Sequence, residues 1–177
     1  MNKKVLGTLG VIAAIFTTIV GMNFVILQSP MSEILGADPR NKGITISVHF
    51  GNYINPSELV LNLRDVSGSN SPADVSRVLI QYAEALKAKE FERVILAYRG
   101  TQKFQLKGAY FRALGKEYGT QNPVYTMRTF PENVYELDGT AAFGEWTGGL
   151  LGVVGKQMED FNEFHKRWYL ADMAHGS

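Results

Sequence analysis

From Val5 to Leu27 the chain runs 23 residues without one ionisable side chain. A helix of that length spans about 34 Å, enough to cross a hydrocarbon core of roughly 30 Å. A short positive head, Met1-Asn-Lys-Lys4, precedes the run, and the first charge after it is Glu33. Secretory signal peptides share the charged head, but their apolar stretch is about 7–15 residues and ends in a small-x-small cleavage site. Here the run is longer. The nearest such site, Leu35-Gly36-Ala37, puts a bulky Leu where a small residue is wanted. Residues 1–27 therefore read as an uncleaved signal-anchor, with a removed signal peptide as the alternative. A buried core helix is disfavoured by the length and by apolarity on every side. Lys3 and Lys4 put the N-terminus in the cytoplasm by the positive-inside rule and the remainder outside it. In a Gram-negative bacterial cell that is a single-pass inner-membrane protein with its domain in the periplasm. Asn23, the one strongly polar residue of the run, is placed to pair with another helix.

Two of the 18 Lys and Arg lie in the head and all 17 Asp and Glu lie beyond the run, so the soluble part carries a net charge of −1. That balance asks for no nucleic acid and no anionic lipid surface. The alternating charges Glu84, Lys87, Lys89, Glu90, Glu92 and Arg93 read as a solvated face. There is no cysteine, which excludes disulfides, thiolate zinc sites, cysteine nucleophiles and an acylated lipoprotein anchor.

Pro30, Gly36, Pro39 and Gly43 make residues 28–43 read as a linker, leaving 44–177 as one extracytoplasmic domain. Ile44-Thr-Ile-Ser-Val-His-Phe50 alternates strictly and predicts a half-buried strand; Leu59-Val-Leu-Asn-Leu63 predicts a second. Ser71 is an N-cap with Pro72 at the first helical position and Asp74 at the third. Val75, Val78, Leu79, Tyr82 and Leu86 form the apolar stripe of a helix over 72–89. Val94–Tyr98 is apolar throughout, as a central strand is. The three pieces make a βαβ unit with parallel strands. Phe104–Leu106 is expected as a hairpin partner, 110–118 as a short helix, Val124–Phe130 and Val134–Leu137 as strands. A closing helix over 156–170 is expected to bury Met158, Phe161, Phe164 and Trp168 or their neighbours. The expected architecture is α/β or α+β with a small mixed sheet.

Asp65-Val-Ser67-Gly-Ser69 lies between the second strand and the helix. A carboxylate and two hydroxyls held by a tight turn there can converge on a hard divalent cation such as Mg²⁺, and ligands of open α/β folds sit at such strand ends. The stretch LVLNLRDVSGSNSPADVSRVLIQYAEALKAKEFERVILAYRGTQKFQLKG, residues 59–108, resembles the first half of a von Willebrand factor A domain with its metal-ion-dependent adhesion site. In that family a Thr and an Asp from later loops complete the site. The resemblance implies a metal set of Asp65, Ser67, Ser69 and, by its place along the chain, Thr140; no later Asp is assigned. The alternative is a polar turn whose side chains satisfy backbone N–H groups.

His49, His165 and His175 share no metal-ligand spacing and read as surface or boundary residues, His175 in a loose tail. No nucleophile elbow, Walker loop or dinucleotide turn is present, and nothing local brings His49 or His165 to Ser67 or Ser69. Gly149, Gly152 and Gly155 make a smooth strip in a Gly-rich stretch, 143–155. It reads either as a surface against bilayer or partner, with Trp146 as interfacial anchor, or as backbone packed on the sheet. The leading expectation is a membrane-anchored binding domain without catalysis or cofactor and with a protein partner. A divalent-metal-dependent adhesion-type domain is the second, and a small hydrolase using Asp65 or a serine the third.

Overall fold

The computed structural model describes residues 3–175. The apolar run forms α1 (Lys3–Asn23), which continues through a single π turn (Phe24–Gln28) into α2 (Ser29–Ala37). It is long and apolar enough to cross a membrane. Pro30 explains the π turn. Proline has no N–H to give to the carbonyl four residues back and its ring crowds that carbonyl. The Ser29 N–H instead reaches back to Phe24 O, absorbing one extra residue without breaking the helix.

The stretch expected as a linker is thus helix, followed by a 3-10 turn (Pro39–Asn41). It is also core: Leu27 and Met31 are fully buried. The apolar run is therefore divided into an exposed part and a part covered by the domain. Its last residues belong to the domain, and only the part up to about Met22 is free to cross a membrane. Those 18 residues, Val5 to Met22, span about 27 Å, close to one hydrocarbon thickness.

The extra residue of the π turn has a second effect. Residues five apart lie well round an α-helix from each other, but with one residue absorbed Asn23 and Gln28 share a face. Both point at β1 (Ile44–Gly51). Val48 N–H donates to Gln28 Oε1 at 3.0 Å, and Gln28 Nε2 donates to Ile46 O at 3.4 Å. Phe50 N–H donates to Asn23 Oδ1 at 2.8 Å, and Asn23 Nδ2 donates to Tyr53 O at 2.7 Å. Two side-chain amides thus occupy the free edge of β1 where a further strand would pair. Asn23 pairs with a strand, not with another helix.

The sheet has the order β1-β2-β3-β4-β5. β1 and β2 (Asn55–Val66) form an antiparallel hairpin. α3 (Pro72–Ala85) carries the chain over to β3 (Arg93–Tyr98), which runs parallel to β2 as expected. β4 (Thr101–Lys107) returns antiparallel to β3, and β5 (Val134–Tyr135) adds two residues at the far edge. Ser71 and Asp74 close a reciprocal capping box at the start of α3. All five residues of the expected α3 stripe are buried.

One continuous core joins the helices to a single face of the sheet: Ile44, Ile46, Val48 and Phe50 of β1, Leu59, Leu61 and Leu63 of β2, Val94, Leu96 and Tyr98 of β3. Among the described residues the opposite face carries a small separate cluster, Val60, Ile95 and Ala97. Thr45, Ser47 and His49 flank it. The architecture is a two-layer mixed α/β sandwich.

After α4 (Gly108–Glu117) the expected strand over 124–130 is instead helix α5 (Pro123–Thr129). Asn122 accepts from the Val124 N–H at 2.9 Å and Pro123 occupies the first turn, so capping decides over the strand-like Val-Tyr-Thr composition. The last helix, α6 (Leu150–His165), starts before the expected position. It passes through a π turn (Lys166–Leu170) into α7 (Ala171–His175), so His175 ends a helix. It buries Phe161, Phe164 and Trp168 but leaves Met158 exposed.

Candidate functional site

β2 does not run straight to its end. The register with β1 pairs Leu63 with Ile46 but Asp65 with Thr45, so Arg64 is an extra residue, a bulge. Directly paired residues share a sheet face, and Thr45 lies on the face away from the helices. Asp65 therefore points to that open face. Its carboxylate is exposed and its partner is Arg99, 3.7 Å away.

Ser67 and Ser69 do come together, with their hydroxyls 3.0 Å apart. The turn that holds them is closed by the Asn70 N–H on Ser67 O at 2.9 Å, and Ser67 N–H is held by Gly43 O at 2.7 Å. Gly43 has φ +91°, and a Cβ there would come within 2.7 Å of both Ser67 Cβ and Asn70 Oδ1. Only glycine fits this corner.

Thr140 is elsewhere. Its N–H and hydroxyl both donate to Asp138 Oδ1, at 2.9 and 2.7 Å, in the turn after β5. β5 stands three strands from β2, about 14 Å across the sheet. The four residues implied by the adhesion-site resemblance are therefore not brought to one point. Among the described residues no three His, Cys, Asp or Glu side chains cluster as metal ligands.

Beside the two serines lies a shallow cleft of about 600 Å³, lined by Arg40, Lys42, Gly43, Asn70 and Asp74 among others. Its Arg40 and Asp74 are engaged. Arg40 forks onto Asp38, with Nη2 to Oδ2 at 2.7 Å. Arg77 binds Asp74 at 2.6 Å and Arg40 O at 2.9 Å. Asn41, almost fully buried, donates to Gln81 Oε1 at 2.8 Å. The Arg40 side chain and N–H hold the Asp38 carboxyl well below the usual carboxylate range. Desolvation pushes Asp74 up, but hydrogen bonds from Ser71 and Arg77 outweigh it and lower the group. This network clamps the turn before β1 onto α3.

A second hollow, about 390 Å³, lies between α3, α4 and α5. Ile80, Leu114, Tyr118, Pro123 and Met127 supply its apolar wall, and Arg77 and Glu117 also line it. Its size suits a small ligand or a bulky side chain.

His165 is not a surface residue. It is fully buried, with Nε2 3.0 Å from Ser76 Oγ and Nδ1 2.9 Å from Phe161 O. A carbonyl can only accept, so Nδ1 carries the proton and Nε2 accepts from the Ser76 hydroxyl. A serine, a histidine and an orienting carbonyl are the parts of an activated nucleophile. Here Ser76 is also buried and lines neither hollow, so the pair works as a satisfied core contact. The spacing 161-164-165-168 put His165 on the buried stripe and was the signal for it.

The Gly strip also departs from one expectation. Added Cβ atoms at Gly149, Gly152 and Gly155 would meet nothing within 4 Å, so these glycines are not packed on the sheet. Trp146 folds back on α6, donating to Asp160 at 2.6 Å.

Comparison with known proteins gives no match: no family model, curated protein or solved structure matches this chain.

Proposed function

We propose that this protein is a membrane-anchored binding domain, single-pass with its N-terminus in the cytoplasm, that engages a protein partner outside it and does no chemistry. The observation that carries this is α1 itself. Val11, Ile12, Ile15, Phe16 and Val20 are large, apolar and exposed, and none of the described residues covers them. A bilayer covers them. The helix then enters the domain without a break, so the domain is held at a fixed height and not tethered loosely.

Because the chain has no cysteine, single cysteines report topology cleanly. In intact cells, Lys116→Cys is expected to react with a membrane-impermeant maleimide added from outside, and Lys3→Cys only after permeabilisation. The reverse pattern, or protein recovered without membrane, overturns the assignment.

A second reading, the metal-dependent adhesion-type domain, is favoured by the convergence of Ser67 and Ser69 at the end of β2. Its test is a thermal melt in EDTA and then in Mg²⁺, beside Asp65→Ala. Saturating metal would raise the midpoint by several degrees. With Asp65 turned to the other face, identical midpoints are expected; a rise that Asp65→Ala lacks would put this reading first.

A further inference from the structure

The connection between β1 and β2 is Asn52–Ile54, with Asn52 and Tyr53 at the centre of a turn closed by the Ile54 N–H on Gly51 O at 3.0 Å. Both turn residues have positive φ, 46° and 66°. That conformation favours Asn followed by Gly. A tyrosine in the second position is strained, and strain of this kind collects where a side chain has a task. The ring is held by stacking on His49, centroids 4.1 Å apart, yet Tyr53 remains 57% exposed and Ile54 beside it 67%.

The height of this tip is fixed. Asn23, the last residue of α1, donates to Tyr53 O, so the turn stands level with the point where the helix enters the domain. The next two helix residues, Phe24 and Val25, are 58% and 69% exposed. Four large apolar side chains therefore form a collar directly beyond the span. No Asp, Glu, Lys or Arg occurs from Gly43 to Ser57, and the Glu58 carboxylate that lies against Gly51 is paired with Arg93.

We propose that the hairpin tip Asn52–Ile54, with Phe24 and Val25, is a second membrane contact, seated in the lipid interface beside α1. The inference rests on the membrane-anchored reading. Continuity with the span identifies lipid as the occupant. A tyrosine is suited to the interface because its ring is apolar and its hydroxyl reaches the headgroups. Two contacts, helix and hairpin, fix the tilt of the domain where one would leave it free. β1 then leads away from the bilayer, and its eight residues hold the Ser67–Ser69 corner about 25 Å out.

The test uses the full chain in phosphatidylcholine–phosphatidylglycerol vesicles, with a nitroxide on Val20→Cys, Ile54→Cys or Ser69→Cys. Relaxation by oxygen, which partitions into lipid, is compared with relaxation by a water-soluble nickel chelate. The oxygen-to-nickel ratio is expected to be high at Val20, several-fold higher at Ile54 than at Ser69, and low at Ser69. A lipid-like Val20 with a water-like Ile54 overturns the hairpin contact and leaves the anchor standing. A water-like Val20 overturns both. An Ile54 label shielded from both reagents overturns lipid as the occupant and points to a protein surface over the tip.

Discussion

A fragment comprising residues 41–177 is expected to show no cooperative unfolding transition at 25 °C, whereas 22–177 unfolds cooperatively. The shorter fragment loses Leu27 and Met31, both fully buried against the sheet. Truncating one such residue to alanine costs about 2–5 kcal/mol; removing both, with the helix that carries them, also strips cover from Ile46, Val48 and Phe50. The Tyr82 hydroxyl loses its acceptor, Leu27 O, at 3.0 Å. Val48 and Phe50 lose the amides that receive their N–H groups, leaving an unguarded apolar edge strand that invites aggregation. Total stabilities of domains are about 5–15 kcal/mol, so the sum removes most or all of it. Urea titration followed by circular dichroism checks this. In 22–177 the double variant Leu27→Ala/Met31→Ala is expected to lose about 5 kcal/mol. Equal midpoints for the two fragments would show that α2 is dispensable, and the linker reading would stand.

This boundary was hidden in the sequence for a physical reason. Pro30, Gly36 and Pro39 are local breakers, and local breakers were all that could be read over 28–43. Helix α2 survives Pro30 because the π turn moves one hydrogen bond, and it is held in place by contacts with β1, which is distant in sequence from Asn23. Where local and tertiary preferences agreed, the pattern was legible. Alternation marked β1 and β2, the N-cap Ser71 followed by Pro72 marked the start of α3, and the continuous apolar run marked β3 as central. The residues of the expected metal set lie apart for a related reason. A spacing of Asp-x-Ser-x-Ser assumes a regular strand, and the bulge at Arg64 turns Asp65 to the opposite face from the helices. No sequence pattern announces a bulge of this kind. His165 was different: it stood at helical spacing among Phe161, Phe164 and Trp168, and only its neighbours Lys166 and Arg167 suggested solvent.

The buried position of His165 makes the fold acid-sensitive over a defined window. Burial is the main cause lowering its pKa, from 6.5 to about 4, against a smaller opposing effect of the bond to Phe161 O. The ring lies among Phe161, Phe164, Trp168 and Tyr169, where a charge has little to solvate it. In the native state it is therefore neutral over a range in which the unfolded chain takes up a proton. Stability from this group is full above pH 6.5, falls as the pH drops below that value, and is lost by about pH 4. The gap corresponds to roughly 3 kcal/mol. The lowered carboxyls of Asp38, Asp74 and Asp138 lose their contributions only below their ordinary value of 3.8, so they do not overlap the window. Urea midpoints of 22–177 between pH 7 and 4.5 are expected to decline steadily. In His165→Gln, whose amide keeps a partner for Ser76 and cannot titrate, the decline over that range should largely disappear, though the variant starts less stable at pH 7. A parallel decline in both proteins would assign the acid sensitivity to other groups and leave the Ser76–His165 pair as packing alone.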